Sequence, residues 1–322
     1  MSSHATSVAI FNDTSCGQHF GCDAVMETIC TLVGEHGGII RYRHPVGQPW
    51  RDHAPALAAL DQVDLVLVNG EGTIHHSSEK ARALAALGPY CAARQVPCYL
   101  INATLQANDA SIMSDIAAFS SVWVRETASQ TELARFGTES TVCGDLSLFH
   151  HHAASEDPQG RPLVLDSVNR RLNIWLGELA RGLGADFVSM KIGVDGALAY
   201  PPRTRFARLL RRKPRSTVNV PGVTNFRDFA QYMANHSYLV TGRFHGFCFG
   251  LVMQLPMSVL PSNTWKCEAV LCDVGLNARR LIEPGGEVPL LPLTEQERTR
   301  MRDYVAKSRD DIRALFGGLL HG

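Results

Sequence analysis

The stretch VTGRFHGFCFGLVMQLP, residues 240–256, sets Arg243 and His245 two residues apart where an apolar strand-like run meets an apolar helix-like run. A guanidinium at the start of a buried helix loses part of its hydration and needs an anion, supplied either by a protein carboxylate or by a substrate. An imidazole beside that charge resists protonation until an anion arrives, which suits it to acid and base work near neutral pH. Other strand ends carry comparable groups. After VDLVLVNG comes EGTIHH, where Gly70 and Gly72 bracket Glu71 and let backbone approach a ligand, with His75 and His76 next. Arg125 and Glu126 follow SVWV, as an ion pair at the sheet rim or as an anion clamp. Asp145 ends STVCGD, placed to cap the next turn or to orient a basic partner. After SVAIF, Asn12 leads into a loop carrying His19, and Gly17 and Gly21 flank a helix start whose free N–H groups could hold an anion. Lys266, in PSNTWKCEAVL, either reaches the same cleft or snorkels.

Strand ends are the right places for such groups only if the chain builds parallel sheets. The first half alternates β-branched runs (SVAIF, GIIRYR, VDLVLVNG, VPCYLIN, SVWVRE, STVCGD) with helical stretches near residues 22–35, 78–94, 109–119 and 127–136. This rhythm predicts βα units on a sheet covered on both faces. It stops in the polar HHHAASEDPQGRP, residues 150–162, and then resumes with PLVLDSV, DFVSMKI, STVNVPG, YLVTG and MSVLP and the helices between them. The expected fold is therefore α/β, with two doubly wound Rossmann-like domains facing a cleft: residues 1–155, residues 156–293, and a charged amphipathic helix over 294–322 that opens at Thr294 like a capping box. At 322 residues the chain has room for two cores.

Lys plus Arg and Asp plus Glu both number 31, and no like-charge block suggests a nucleic-acid partner. The densest basic run, RTRFARLLRRKPR at 203–215, reads as a solvated helix face or as a patch meeting anionic lipid or a phosphorylated substrate. No signal peptide and no membrane-length apolar run are seen, so a cytoplasmic protein is expected, with peripheral contact at the inner face of the membrane. Nine cysteines without a repeated CxxC argue against a disulfide framework or a structural zinc site.

These residues resemble the polysaccharide pyruvyl transferases. TGRFHGFCFGLVMQLPMSVLPSNTWKCEAVLCDVGL is similar to the family's carboxy-terminal Arg-x-His signature, and SVWVRETASQTELARFGTESTVCGDLSL to its middle signature. VNGEGTIHH is similar to its Gly-rich strand end and FNDTSCGQHFGCDAVMETI to its amino-terminal loop and helix. Glu71 stands where the family commonly runs glycines together, and Phe244 where a Leu is often seen. The resemblance implies a GT-B-like pair of lobes, the amino-terminal one on the acceptor side and the carboxy-terminal one on the donor side. It further implies phosphoenolpyruvate as donor and transfer of its pyruvyl group to two hydroxyls of a surface-polysaccharide or glycolipid precursor as a cyclic ketal. On this reading Arg243 and Arg125 clamp the donor and His245 is the acid and base. Lys266 supports the phosphate, while His76, backed by His75, contacts the acceptor, which is a free sugar or a lipid-linked saccharide. Gly70, Gly72, Gly17 and Asn12 shape the loops against substrate. No cofactor and no metal are required, because cationic side chains neutralise the donor. Two other readings compete: a GT-B glycosyltransferase using a sugar nucleotide, and a glycan-binding relative that has lost its chemistry. Against the first, no clear acidic residue late in the second domain stands ready for the ribose, Glu268 being the one that could be argued.

Overall fold

The computed structural model describes residues 5–152, 160–169, 171–192, 220 and 222–321. The basic run at 203–215 and most of the strand expected at STVNVPG lie outside these residues. Six strands form the first sheet: β1 (Ser7–Asp13), β2 (Ile39–Pro45), β3 (Leu65–Asn69), β4 (Cys98–Ala103), β5 (Ser121–Val124) and β6 (Thr141–Val142). Their order is β2-β1-β3-β4-β5-β6, all parallel. Between them run α1 (Phe20–Glu35), α2 (Ala54–Leu60), α3 (Glu79–Ala85), α4 (Leu87–Ala92), α5 (Ala110–Ile116) and α6 (Thr127–Ala134). The second sheet has β7 (Leu163–Ser167), β8 (Asp186–Val188), β9 (Leu239–Gly242) and β10 (Met257–Val259) in the parallel order β10-β9-β7-β8. Helices α7 (Leu172–Leu183), α8 (Phe226–Ala234), α9 (Phe244–Met253) and α10 (Lys266–Val274) accompany it, and α11 (Glu295–His321) ends the chain.

The strands read as continuous apolar runs because both sheet faces are covered. Every residue of β3 and β7 is buried. Two elements differ from the sequence-based expectation. The helix predicted at 78–94 breaks at Ala86 into α3 and α4, and α2, which short APALAAL did not announce, starts with His53 accepting the Ala56 N–H and a proline in its first turn. The capping box of α11 closes through Glu297: its carboxylate accepts the Thr294 N–H at 3.0 Å, and Thr294 Oγ1 accepts the Glu297 N–H at 3.2 Å.

Helix α11 belongs to both halves of the fold. Met301 and Val305 join the core around β7, β9 and α9, whereas Ile312, Leu315 and Phe316 join the core around β1 and α1. Its start is held by Arg280, 1% exposed, which donates through Nε to Glu297 Oε1 at 2.8 Å and through both terminal nitrogens to backbone carbonyls. Burying that guanidinium is tolerable because its donors are satisfied. No described helix is long and apolar enough to cross a membrane.

Each sheet has one point where the strand order reverses. In the first it lies between β1 and β3, in the second between β7 and β9. Such crevices at the carboxyl ends of strands are where doubly wound sheets bind ligands.

Candidate active site at the facing strand ends

The second domain supplies the Arg-x-His block. Helix α9 is buried nearly throughout, and its N-cap, Arg243, is extended (φ −112°, ψ 127°). Thr241 Oγ1 at the end of β9 accepts the Arg243 N–H at 3.0 Å and fixes the turn. The Arg243 guanidinium, 5% exposed, forks onto Asp166 of β7, with Nε 2.8 Å from Oδ1 and Nη2 also bound. The anion that Arg243 requires is therefore supplied by the protein, across the switch point itself.

The first domain repeats the device. Arg125, 1% exposed, donates through Nη1 to Asp145 at 3.1 Å and through Nε and Nη2 to Thr104 Oγ1 at 3.1 and 2.6 Å. Its guanidinium carbon lies 4.7 Å from the centre of the Phe244 ring, so the residue between Arg243 and His245 covers a cation of the opposite domain. Burial works to raise the Asp145 carboxyl, but His245, Arg125 and the bonds from Ser147 outweigh it and hold it below its ordinary value. Glu126 accepts from Ser129 and from Thr104 Oγ1, the same hydroxyl that Arg125 binds, and burial raises its carboxyl.

His245 sits between the domains. Its Nε2 lies 3.4 Å from Glu71 Oε1 and 3.9 Å from Asp145 Oδ1, and among the described residues it has no hydrogen-bond partner. The ring is pressed against the start of α1: a Cβ on Gly21 would lie 2.2 Å from His245 Cβ and Cγ. Glu71 is held from three sides, by Thr14 Oγ1 at 2.8 Å, Asn69 Nδ2 at 3.3 Å and Cys22 Sγ at 3.0 Å. His19 caps α1 by accepting the Gly21 N–H, and its ring centre is 5.6 Å from that of His245. Burial, with His245, Arg243 and Lys191 nearby, keeps His19 well below its ordinary value and neutral.

Lys266 begins a relay across the cleft. Its ammonium donates to Asn263 Oδ1 at 2.7 Å, Asn263 Nδ2 meets His75 Nε2 at 3.2 Å, and His75 Nδ1 meets His76 Nδ1 at 2.9 Å. Burial, then Arg125, pushes Lys266 down to about 8. Burial also lowers His75, with help from His76 and Lys266.

The structure brings Arg125, Arg243, His245 and Lys266 to one cavity of about 200 Å³, with Glu71, Gly72, His19 and Cys22 on its first-domain wall. Those four wall residues also border a cavity of about 480 Å³ that extends over the first domain and takes in Gly17 and His75. Asn12 lies deeper, at φ 64°, with Nδ2 on the Asn69 carbonyl at 2.6 Å, where it ties β1 to β3 and borders a third cavity. Gly70 is buried against Ala103, whose Cβ would lie 2.6 Å from any Cβ at position 70, so it serves close strand packing and lines none of the three. His76 is exposed and lines none of them either. Glu268 lies on α10 behind Lys266 and lines none of these cavities. A larger cavity, about 970 Å³, opens at the amino ends of β5 and β6, on the opposite edge of the sheet from every one of these groups.

Sequence reasoning passed over Asp166, Cys22, Asn263 and Thr104. Asp166 had a signal, a lone acid ending the apolar PLVL at the strand that neighbours β9. The other three have none, because a Cys in a first helical turn and an Asn and a Thr in loops are ordinary until the fold sets them beside a charge.

Two solved structures share the arrangement of the two domains. UDP-GlcNAc 2-epimerase from Neisseria meningitidis, bound to UDP-GlcNAc, covers 98% of this chain and 100% of its own at 12% identity, TM-score 0.54. MnaA from S. aureus, in a co-structure with UDP, covers 96% and 91% at 12% identity, TM-score 0.53. At such identity they establish the two-domain, Rossmann-like GT-B fold alone. No curated protein sequence matches the chain. The family model for polysaccharide pyruvyl transferase matches residues 19–263. That span runs from His19 through Glu71, Arg125 and the Arg-x-His block to Asn263, and the chain belongs to the polysaccharide pyruvyl transferase family.

Proposed function

We propose that this pyruvyl transferase takes the pyruvyl group of phosphoenolpyruvate and closes it as a cyclic ketal on two hydroxyls of its saccharide acceptor. The observation that carries the reading is the joint lining of a cavity of about 200 Å³ by Arg125, Arg243, Lys266 and His245. A volume below the roughly 300–1,000 Å³ of sites for drug-sized ligands suits a three-carbon phosphate better than a sugar nucleotide. The adjoining cavity of about 480 Å³ suits a sugar, and Glu71 borders both.

The residues then divide the chemistry. His245, as imidazolium, gives its proton to the methylene carbon of the donor, which leaves a cation-like carbon beside the phosphate oxygen. Glu71, 3.4 Å from His245, accepts the proton of the attacking acceptor hydroxyl. Phosphate leaves against Lys266 and the arginines, and the second hydroxyl adds to the carbon it vacates. Two hydroxyl protons are lost in total: one balances the proton now on the methyl group, and one departs through the site with phosphate.

The test is phosphate release from phosphoenolpyruvate with a panel of saccharide acceptors. His245→Ala is expected to lower turnover by about 10²–10⁴-fold, and Arg243→Ala to weaken donor binding. Undiminished release by the first variant removes the acid and base role, and unchanged donor affinity in the second removes the clamp. Thermal stabilisation by nucleotide sugars but not by phosphoenolpyruvate would transfer the site to sugar-nucleotide chemistry.

A further inference from the structure

We infer that His19, Cys22 and His245, with Glu71 as fourth ligand, form a binding site for one thiophilic divalent cation of the Zn²⁺ type that bridges the two domains. The ligand atoms of the two histidines and the cysteine all lie within 4.8 Å of one another. Glu71 Oε1 is 3.0 Å from Cys22 Sγ and 3.4 Å from His245 Nε2. Tetrahedral zinc with ordinary bond lengths sets neighbouring ligand atoms about 3.3–3.8 Å apart, so Glu71 already has that spacing from His245, draws back slightly from Cys22 Sγ, and the widest pair closes by about 1 Å.

A second, independent observation points to a ligand. His245 is 7% exposed, and its Nε2 has no hydrogen-bond partner among the described residues although it faces two carboxylates. A buried ring nitrogen without a hydrogen-bond partner, with the carboxylates of Glu71 and Asp145 within 4 Å of it, is arranged to meet positive charge. Two imidazoles, a sulfur and one carboxylate make a donor set that excludes Mg²⁺ and Ca²⁺, which take oxygen ligands, and favours Zn²⁺.

The exchange balances simply. The Cys22 thiol, now donating to Glu71, loses its proton to solvent as sulfur takes the metal, and Glu71 trades an S–H donor for the cation. His19 has one lone pair available in its neutral form, so it gives up the 3.2 Å bond it accepts from the Gly21 N–H. His19 and Cys22 belong to the start of α1 and His245 to α9, so a bound ion fastens the first domain to the second. It also occupies the lone pair that proton transfer through His245 requires, and metal and turnover exclude each other.

Equilibrium dialysis of the full chain against Zn²⁺, followed by metal analysis, and absorption spectra after Co²⁺ loading test the site directly. One ion per chain is expected, with a thiolate-to-cobalt charge-transfer band and no competition from Mg²⁺. Cys22→Ser should abolish the band and weaken Zn²⁺ by at least about 100-fold, the upper end of what losing even an outer-sphere partner costs. His19→Ala should weaken it comparably, and decides the matter if the serine variant, checked by circular dichroism, has lost its fold. No tight binding, or equal Zn²⁺ affinity in wild type and a folded variant, places any metal elsewhere, such as His150–His152, and overturns the assignment. These readouts do not involve phosphoenolpyruvate, so the metal site and the transfer reaction stand or fall separately.

Discussion

Gly21 is the least conspicuous residue on which His245 depends. A methyl group at this position would lie 2.2 Å from His245 Cβ and Cγ and 2.4 Å from Nδ1, over 1 Å short of ordinary contact. Helix α9 cannot retreat to make room, because Phe247, Cys248 and Phe249 behind His245 are fully buried in the core of the second domain. Gly21→Ala must therefore turn the imidazole away or part the domains at α1. Overpacking of this kind costs about 1–3 kcal/mol of stability. A misplacement of about 1 Å in a reacting group costs about 10²-fold in rate. Phosphate release should thus fall about 100-fold in kcat, while calorimetric phosphoenolpyruvate affinity stays within about threefold, since the three atoms nearest the added methyl group all belong to His245 and none to Arg125, Arg243 or Lys266. Gly34→Ala, in the same helix with no atom within 4 Å of the added methyl group, serves as control and should keep full activity. Wild-type turnover in Gly21→Ala would show that the His245 ring position is immaterial to the reaction.

Two further outcomes follow from buried charges. Lys266 is lowered to about 8 from an ordinary 10.5, so the folded chain holds its proton less tightly than the unfolded chain and stability rises with pH between those values. Lys266→Met should consequently be more stable than wild type at pH 7 by roughly 1–3 kcal/mol in urea titrations, while binding phosphoenolpyruvate more weakly; equal stability at pH 7 would mean that the ammonium is not penalised by burial. Glu297 is held down to about 2 by Arg280 and by the Thr294 and Asn277 N–H groups, so its contribution is complete above the ordinary carboxylate value of 4.5 and is lost as pH falls toward 2. Glu297→Gln should cost about 2–3 kcal/mol at pH 7, with the gap to wild type closing by pH 2; a gap that persists there would assign the loss to packing rather than charge.

The alternation of βα units was legible because a sheet covered on both faces demands unbroken apolar strands, and LVLVN and LVLDS show that demand directly. The positions of Arg125, Arg243 and His245 were legible for the same reason, since a charged group ending such a run has nowhere to go but the rim, whereas Lys266, first residue of α10, ends no such run. What each charge would meet there was not legible. Asp166 is 77 residues from Arg243 in the chain, and Cys22 is 49 from Glu71, so neither pairing has any local pattern. The break at Ala86 was equally hidden, because the two short helices share one amphipathic rhythm and only their packing on α5 and β4 bends them apart. What Gly70 and Asn12 do in the fold was not legible either: Gly70 packs closely on Ala103, and Asn12, near the end of β1, takes a left-handed conformation and ties β1 to β3.

The pairing of both arginines changes how the site can meet an anion. A buried ion pair adds little to stability, and often costs some, against apolar residues of equal volume. Two of them facing each other across the cleft are better understood as fixed dipoles, each guanidinium locked by its carboxylate, so that donor binding requires no rearrangement of charge. Arg125 with Asp145 and Arg243 with Asp166 then cancel to first order, and Glu71 offsets Lys266. An anionic donor therefore meets guanidinium and ammonium groups whose positions are already fixed, with His245 Nε2, which has no hydrogen-bond partner among the described residues, beside them.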